Sequence, residues 1–441
     1  MKLQLTKSVK YRSYGEHVYL RNIALRKDYL FNDIVFDILE IIKNAPGCTE
    51  EHILHSLAEI YDVDDIDTFV TDIVGFLEEL LHERILTDDA TPDQKQDAGI
   101  DERIREQCRR DHRLYSVCLE LTYRCNERCI HCYIDDQVLE KELRFEQYQT
   151  VIDELEKMGC PYLLLTGGEP TLHPDFLKIA EYASKKGFLV DIYTNGFLIS
   201  EDMLRRMIAL TPNSISFSFY GGDAENHDAI TCVQGSFEKS LKAMMMCKCA
   251  GVETYIKSVA MKQNFNGLEK LYKLGELLEI PVVVAKFVIP SHTGKKAPEF
   301  YQLDMECQYK KLLDLEQQYL GREIYKRHRE PGMPFCSAGE DTLSIDPYGN
   351  VSPCNSLKIP LGNITSQSIR EIWDNSVRLV RKSLPNGYLR KKCETCEYIQ
   401  FCNVCPGTIC GANGERIDSD KTCLMASAVY HTYIERKEAQ L

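Results

Sequence analysis

Three closely spaced cysteines are the residues with the clearest chemical potential in this chain. Cys125, Cys129 and Cys132 follow a short strand-like run in the stretch LELTYRCNERCIHCY. Thiolates at this Cx3Cx2C spacing can wrap one corner of a four-iron, four-sulfur cube, and a ferredoxin-type run would supply a fourth cysteine. No fourth cysteine follows nearby, so one iron keeps an open position for a ligand that reacts. The alternative is a zinc knuckle with His131 as fourth ligand, although its crowded position between Ile130 and Cys132 makes that geometry poor.

A second motif supports the cluster interpretation. Gly167-Gly168-Glu169-Pro170 follows the apolar run from Tyr162 to Thr166. Alone it is only a glycine turn before a helix, but the two motifs in this order and spacing resemble those of radical S-adenosylmethionine (radical SAM) enzymes. The resemblance implies that S-adenosylmethionine chelates the open iron, and that electron transfer into its sulfonium releases a 5′-deoxyadenosyl radical. The hard chemistry then belongs to the cofactor, which the protein positions and shields.

The resemblance also implies a set of residues around this cofactor. Glu169 would accept a charge-assisted hydrogen bond from the amino group, while Gly167 and Gly168 let backbone approach closely. Lys257 could pair with the carboxylate or be exposed at a strand edge, and Ile289 could line the adenine or belong to an ordinary core. The expected cofactor residues are Gly167, Gly168, Glu169, Pro170, Thr194, Asn195, Ser218, Lys257 and Ile289.

Many of the nineteen cysteines crowd into the last quarter of the chain, a distribution that points to metal binding or catalysis rather than disulfides. They form the pattern Cys336-x12-Gly349-x4-Cys354, then Cys393-x2-Cys396-x5-Cys402-x2-Cys405, closed by Cys423. This pattern resembles the SPASM extension of radical SAM enzymes, which holds two further iron–sulfur clusters. Zinc ribbons also use Cx2C pairs, but they need four ligands rather than seven or eight.

Matching to that extension implies two ligand sets. The outer cluster would use Cys393, Cys396, Cys402 and Cys423. The inner cluster would use Cys336, Cys354 and Cys405. Relatives often have three residues rather than two before the ligand matched to Cys405, so the assignment between Cys405 and Cys410 stays open. The fourth inner ligand could be Cys410, Cys307 or no protein atom, which would leave a site for a substrate thiolate. The expected cofactors are therefore S-adenosylmethionine and three [4Fe–4S] clusters.

Length and composition limit the function classes further. At 441 residues the chain is long enough for two or three domains, and its net charge of −14 argues against nonspecific nucleic-acid binding. No stretch reaches the roughly 18 to 20 apolar residues that span a bilayer. The first residues lack the apolar core of a signal peptide, so we expect a cytoplasmic protein with no membrane partner.

Residues 1–88 are predicted to form a small winged-helix-like domain. Val18–Leu20 and Asp28–Phe31 are strand candidates, followed by three amphipathic helices capped by Asn32, by Thr49 and by Asp64 or Asp65. The segment resembles the peptide-recognition domain that precedes many radical SAM peptide maturases, and is similar to the small chaperone of pyrroloquinoline quinone synthesis. Such domains bind a leader peptide by strand addition. The alternative is a domain that merely packs on the catalytic core.

The rest of the chain divides into a linker, a barrel and the cysteine-rich tail. Residues 89–113 are highly charged and predict a solvated, partly helical spacer. Residues 114–325 alternate strands with amphipathic helices, which predicts a parallel α/β sheet and agrees with the partial (β/α)6 barrel of the family. Residues 326–441 form the predicted SPASM domain. The strand candidates are 115–122, 162–166, 188–193, 214–219, 253–259 and 281–287.

The three patterns together favour a maturase of a ribosomally made precursor peptide, with an electron donor such as flavodoxin or ferredoxin. Their order resembles the sactipeptide and ranthipeptide enzymes that install cysteine thioether links. Carbon–carbon crosslinking, oxidative decarboxylation or formylglycine formation in a folded protein would use a similar architecture. A cluster-bearing peptide-binding or redox-sensing protein without turnover is the alternative outside enzymes. No side chain stands out as a general base.

The cluster count is directly testable. Anaerobic reconstitution should give about twelve iron and about twelve sulfide per chain, because three cubes each hold four of both. Iron and sulfide analysis of the reconstituted protein measures this. Values near zero would contradict the cluster interpretation.

Overall fold

The computed structural model describes most of the chain. The described residues are 2–6, 9–14, 17–23, 25, 27–87, 100–134, 141–292, 298–304, 307–324, 326, 336, 338–383, 393, 395–403, 405–409 and 421–438. Among them, no helix combines the length and the apolar character needed to cross a membrane.

The N-terminal segment folds around its own apolar core. Its strands are β1 (Gln4–Leu5), β2 (Val9–Tyr14), β3 (His17–Asn22), β4 (Lys27–Asn32) and β5 (Leu86–Thr87), and its helices are α1 (Ile34–Asn44), α2 (Glu50–Ile60) and α3 (Ile66–His82). Strands β2, β3 and β4 form an antiparallel sheet, and β1 pairs with β5. The sheet buries Val18 and Leu20 against the three helices, which contribute Ile38, Leu57 and Leu77.

The predicted helix caps can be compared residue by residue. Thr49 and Asp65 cap α2 and α3 as predicted, each accepting a hydrogen bond from a backbone N–H of the first turn. The cap of α1 is Asp33 rather than Asn32, because Asn32 is the last residue of β4. Strand β2 was not predicted, since its sequence VKYRSY lacks the buried apolar run that marks a strand.

The charged segment between the domains contains a packed helix. Helix α4 (Ile100–Arg110) has Ile104 and Cys108 fully buried against Tyr19 and Tyr162. Arg109 donates a 2.8 Å hydrogen bond to the buried carboxylate of Asp341. This segment therefore differs from the solvated spacer that its composition predicted. Two apolar residues, four apart on one helix face, are enough to dock it.

The centre of the molecule is a sheet with six adjacent parallel strands. These strands are β6 (Ser116–Glu120), β7 (Tyr162–Thr166), β8 (Leu189–Thr194), β9 (Ser214–Ser218), β10 (Thr254–Val259) and β11 (Val282–Ala285). The surrounding helices are α5 (Phe145–Lys157), α6 (Phe176–Lys185), α7 (Glu201–Ala209), α8 (Ala224–Thr231), α9 (Ser236–Cys249), α10 (Phe265–Leu277) and α11 (Gln308–Leu320). All six predicted strands are present, and the α/β fold class is confirmed. Helix α8 was not predicted.

The C-terminal region continues this sheet. Its elements are β12 (Thr342–Ile345), β13 (Asn350–Ser352), β14 (Gly362–Asn363), α12 (Ile369–Ser383), α13 (Pro406–Ile409) and α14 (Lys421–Glu438). Strand β12 pairs in parallel with β6, with Ser344 opposite Cys118. The sheet order is β11-β10-β9-β8-β7-β6-β12-β13-β14. The cysteine-rich region is thus joined to the barrel by backbone hydrogen bonds.

The N-terminal segment docks at the end of the barrel opposite the cysteine loop. The Tyr19 and Tyr162 hydroxyls are 2.7 Å apart and hydrogen-bonded. The Arg12 guanidinium lies 4.4 Å from the ring centroid of Phe188 and donates to the Lys186 carbonyl oxygen at 3.2 Å. Because Tyr162 and Phe188 lie at the start of β7 and beside the start of β8, these contacts occur where parallel strands begin.

Docking of α4 predicts a stability effect at Ile104. Ile104→Ala should lower the free energy of unfolding by about 2–5 kcal/mol, because it removes a fully buried side chain and leaves a cavity. The matched variant Glu106→Ala, at an exposed position of the same helix, should change it by less than about 0.5 kcal/mol. Denaturant unfolding of both variants measures the difference. Equal effects would contradict a docked helix.

Candidate functional site

The cysteine loop lies at the C-terminal ends of the strands. It follows β6, and Leu121 N–H donates to the Thr166 carbonyl oxygen at 2.8 Å. Farther along, Arg128 N–H donates to the Thr231 carbonyl oxygen at 2.9 Å, and Ile130 N–H donates to the Ile230 carbonyl oxygen at 3.0 Å. The loop is therefore held on one side by the end of β7 and on the other by the end of α8.

The glycine motif packs directly on the start of the cysteine loop. Gly168 N–H donates to the Thr122 carbonyl oxygen at 2.7 Å, and Glu169 N–H donates to the Arg124 carbonyl oxygen at 2.9 Å. A Cβ atom on Gly167 would lie 2.3 Å from Thr122 O, and one on Gly168 would lie 2.4 Å from Arg124 O. Gly167 also has φ +143°. Only glycine fits this approach without displacing backbone.

Glu169 is hydrogen-bonded within the chain beside the cavity. Its carboxylate is fully buried and accepts hydrogen bonds from the Thr171 hydroxyl at 2.6 Å, the Thr194 hydroxyl at 2.8 Å and the Asn195 N–H at 2.8 Å. Burial raises the pKa of Glu169, and these hydrogen bonds oppose that effect. The side chain ties the end of β7 to the end of β8 and is not part of the cavity wall. The expected contact between Glu169 and the cofactor amino group stays a prediction.

A cavity of about 450 Å³ opens beside the three cysteines. That volume is within the range of small-molecule sites. Seven of the nine expected cofactor residues line it: Gly167, Gly168, Thr194, Asn195, Ser218, Lys257 and Ile289. The two that do not are Glu169 and Pro170, which begins a buried 3-10 turn. Cavity residues that sequence reasoning missed include Glu127, Tyr193, Tyr220 and Asn355.

Two of these residues could have been predicted from their positions in the sequence. Glu127 lies between two of the motif cysteines, and Asn355 directly follows Cys354. Asn355 brings the cysteine-rich region into the wall of the barrel cavity.

Lys257 stands between aromatic rings in the same wall, with its ammonium 5.3 Å from the Tyr193 ring centroid. Burial lowers the pKa of Lys257.

The thiols have the chemistry that a cluster requires. Burial raises the pKa of the Cys125 thiol to about 12 and the pKa of the Cys129 thiol well above its ordinary value. Buried thiolates need a compensating charge, which bound iron supplies. Glu127 N–H donates to Cys125 Sγ at 3.4 Å, and Asn195 Nδ2 donates to the same sulfur at 3.8 Å. Hydrogen bonds to sulfur are typical of cluster ligands, so these residues fit the group.

His131 does not join the thiols in a zinc site. Its ring packs edge-on against Tyr220, with centroids 4.6 Å apart, and burial lowers its pKa to about 4. Within the described part of the chain, no group of three or more His, Cys, Asp or Glu side chains could hold a single metal ion.

A buried ion pair connects the cysteine loop to the C-terminal region. The Glu120 carboxylate, at the end of β6, is fully buried and accepts a 2.6 Å hydrogen bond from the Lys358 ammonium. Tyr123 and Tyr133, which flank the cysteine motif, donate to the same carboxylate at 3.3 and 3.4 Å. The pair fixes both flanks of the loop against a residue that lies more than 200 positions away in sequence.

The structure brings the three expected inner ligands together. Burial raises the pKa of Cys336 to about 12 and of Cys354 to about 11, and in both cases the nearby Cys405 adds to the shift. A Cβ on Gly407 would lie 2.3 Å from Ser356 O, so the segments after Cys405 and Cys354 are in backbone contact. The segments that carry the three thiols therefore lie next to one another.

The expected outer ligands lie on two segments that pack together. Cys393, Cys396 and Cys402 are linked by consecutive turns, in which Cys396 N–H donates to the Cys393 carbonyl oxygen at 3.3 Å. Cys423 is on α14, and Phe401 packs against Tyr433 of that helix with ring centroids 5.0 Å apart. Cys410 lies outside the described residues. Cys307 is exposed before α11.

Comparison with known proteins identifies the family. Residues 119–275 match the Radical SAM superfamily, and residues 336–406 match the SPASM iron-sulfur cluster-binding domain. The chain is 30% identical over 279 residues to the mycofactocin maturase MftC of Mycobacterium tuberculosis, covering 59% of this chain and 71% of that protein. This chain belongs to the radical SAM superfamily. S-adenosylmethionine and iron–sulfur clusters are accordingly its cofactors.

Other relatives of this radical SAM protein differ in their named activities. It is 28% identical over 334 residues to the AdoMet-dependent heme synthase of Methanosarcina barkeri, covering 70% of this chain and 95% of that protein. Streptococcus suis SuiB, solved with S-adenosylmethionine, has the same fold with a TM-score of 0.55 and 15% identity, covering 95% of this chain and 99% of SuiB. The AdoMet-bound structure of anSMEcpe also has this fold, with a TM-score of 0.58 and 19% identity. The match covers 73% of this chain and 97% of anSMEcpe.

The close approach of the backbone at Gly168 predicts that adding one methyl group there lowers both stability and iron retention. Gly168→Ala should lower the free energy of unfolding by about 1–3 kcal/mol and reduce the iron retained after reconstitution, because the added Cβ must displace the backbone leading to Cys125. Gly75→Ala, at a helical position with open space, should instead be neutral or stabilising by up to about 1 kcal/mol. Denaturant unfolding and iron analysis measure both. Wild-type behaviour of Gly168→Ala would contradict the packing argument.

Proposed function

We propose that this radical SAM protein modifies a ribosomally made precursor peptide and joins a cysteine sulfur to a carbon of an acceptor residue. The observation that carries the proposal is the shared wall of the cavity, in which Asn355 of the cysteine-rich region faces the cysteine loop of the barrel. A substrate in this cavity contacts the S-adenosylmethionine site and the region of the inner cluster at once. Thioether formation needs both a hydrogen acceptor and an electron acceptor.

The proposed cofactor arrangement follows from the residues brought together. Cys125, Cys129 and Cys132 hold the first cluster, and the cavity residues between β7 and β11 hold S-adenosylmethionine. When bound and reduced, this cofactor supplies hydrogen abstraction. The chain's own residues bind, orient and exclude water: the two glycines let the end of β7 pack against the backbone that leads into Cys125, and Asn195 hydrogen-bonds the first thiol. Three clusters in all are proposed, with Cys336, Cys354 and Cys405 on the inner auxiliary cluster and the other four cysteines on the outer one.

A peptide partner is supported by the N-terminal segment. We propose residues 1–88 as a leader-binding domain, because β2 and β4 are edge strands of its three-stranded sheet and strand addition needs a free edge. SuiB, which has the same fold, was solved bound to its precursor peptide SuiA with a TM-score of 0.57 to this chain. MftC is named a maturase. A flavodoxin or ferredoxin is the proposed electron donor, and the cytoplasm the proposed location.

A second candidate substrate is a tetrapyrrole. The heme synthase of Methanosarcina barkeri is covered over 95% of its length by this chain. Such a reaction gives no role to the peptide-recognition fold of residues 1–88. The two candidates use the same cofactor and differ in the molecule that occupies the cavity.

Turnover of a peptide is the decisive measurement. The reconstituted enzyme, dithionite and S-adenosylmethionine should convert a cysteine-containing precursor peptide, to be sought among short reading frames beside the gene, into a product that lacks two hydrogens per linkage, because one S–H and one C–H become one S–C bond. Mass spectrometry and thiol alkylation measure the product, and chromatography measures 5′-deoxyadenosine.

Matched cysteine variants provide the controls. Cys129→Ala should abolish both products, whereas Cys249→Ala, at an exposed position outside the site, should keep them. If the wild-type protein formed no 5′-deoxyadenosine, the proposal that it is an active enzyme would be contradicted. Turnover of Fe-coproporphyrin III in place of the peptide would favour the tetrapyrrole candidate.

A further inference from the structure

A second large groove lies far from the cysteine loop. It has a volume of about 880 Å³ and runs between the N-terminal segment and the base of the barrel. Strand β2 and helix α1 form one wall. The ends of α5 and α6 and the start of α12 form the other. Nothing in the proposed chemistry at the cavity uses this groove.

The groove is basic in an acidic protein. Eight Lys or Arg residues line it against four Asp or Glu, although the whole chain carries a net charge of −14. The basic residues are Lys10, Arg12, Lys43, Arg113, Lys157, Lys185, Lys186 and Arg370. Such a local excess attracts anions and is screened by salt.

Lys10 is a cation of the groove whose hydrogen-bond partners are uncharged. Its ammonium is partly buried and donates to the Ser184 carbonyl and hydroxyl oxygens at 3.2 and 3.1 Å, both uncharged acceptors. Burial and the nearby Lys43 lower its pKa. No carboxylate among the described residues pairs with it. A cation whose hydrogen bonds go to uncharged acceptors keeps its charge available to attract an added carboxylate.

Arg12 adds a second, deeper cation beside it. Its side chain is nine-tenths buried, and its Nε–H has no hydrogen-bond partner in the described part of the chain. The guanidinium is held in position by its contact with Phe188 and by its hydrogen bond to the Lys186 carbonyl oxygen. The buried guanidinium adds positive charge to the groove wall, and an anion bound in the groove would offset this charge.

The spread of the positive charges along the groove indicates which kind of ligand fits it. The cations come from five different elements along a groove much larger than one carboxylate, so a chain with several anionic groups fits better than a single small anion. Four carboxylates, including Glu40 and Asp374, are interspersed among them. They would repel the closely and evenly spaced phosphates of a nucleic acid, whereas a peptide can vary the spacing of its acidic residues.

We propose that the groove between β2 and the base of the barrel binds an acidic segment of a polypeptide, with Lys10 and Arg12 as the central contacts. Identifying this polypeptide with the precursor peptide rests on the proposed function; the binding site itself does not. A leader held here would be tethered to the barrel, which raises the local concentration of its core segment at the cavity.

Binding of a defined probe tests the site without any turnover. Fluorescein-labelled hexaglutamate should bind the reconstituted full chain, and its anisotropy signal should fall when salt rises from about 50 to about 300 mM because the charges are screened. Lys10→Glu and, independently, the more exposed Lys43→Glu should each weaken binding at least about tenfold, which corresponds to about 1.4 kcal/mol. Lys242→Glu, an exposed change of the same charge outside the groove, should leave it within about twofold.

The alternative ligands give distinct outcomes. Equal binding of hexaglutamine, or wild-type affinity in both groove variants, would overturn the proposal. Tighter binding of oligothymidylate than of hexaglutamate would assign the groove to nucleic acid instead. If millimolar inorganic phosphate displaced hexaglutamate completely, the groove would be a site for small anions and the polypeptide proposal would be overturned. None of these results depends on S-adenosylmethionine cleavage, so a failed maturase assay and a failed groove assay remain distinguishable.

Discussion

Close contact between two backbone segments determines where the reactive end of this protein can be. The glycine pair at 167–168 approaches the backbone at 122–124 so closely that a Cβ atom would come within 2.4 Å of a carbonyl oxygen. Because that backbone leads directly into Cys125, the first thiol takes its position from packing between the ends of β6 and β7. Well-packed interiors resist small displacements, so the thiol and the cavity beside it are coupled. Strands β8 to β11 add further residues that line the cavity.

Two buried carboxylates hold the rest of the site to this contact. Glu169 joins the ends of β7 and β8 through hydrogen bonds to Thr194 and Asn195, and Glu120 joins the end of β6 to Lys358. A carboxylate without solvent is tolerated only when its hydrogen bonds are made, so each one specifies the position of its partners.

The cysteine-rich region is a continuation of the barrel rather than an appended module. Strand β12 extends the sheet beside β6, and Asn355 reaches the cavity wall. The N-terminal segment is attached at the opposite end, through Tyr19, Arg12 and α4. The cysteine loop and the N-terminal segment are therefore at different ends of one parallel sheet. The basic groove lies at the end where the N-terminal segment is attached.

Local pattern alone determined the six parallel strands, the capped helices at Thr49 and Asp65 and the positions of both motifs. Buried parallel strands are continuous apolar runs, caps follow from one or two residues, and thiolate spacing reflects the size of a cluster, so each of these is readable within a few residues. Seven of the nine expected cofactor residues indeed line one cavity. Only the tertiary structure decided that Glu169 hydrogen-bonds to Thr194 and Asn195, that α4 docks, that β12 joins β6 and that Lys10 and Arg12 line a groove. Each of these depends on partners distant in sequence, such as Asn195 for Glu169 or Asp341 for α4, and periodicity carries no record of which distant residues meet.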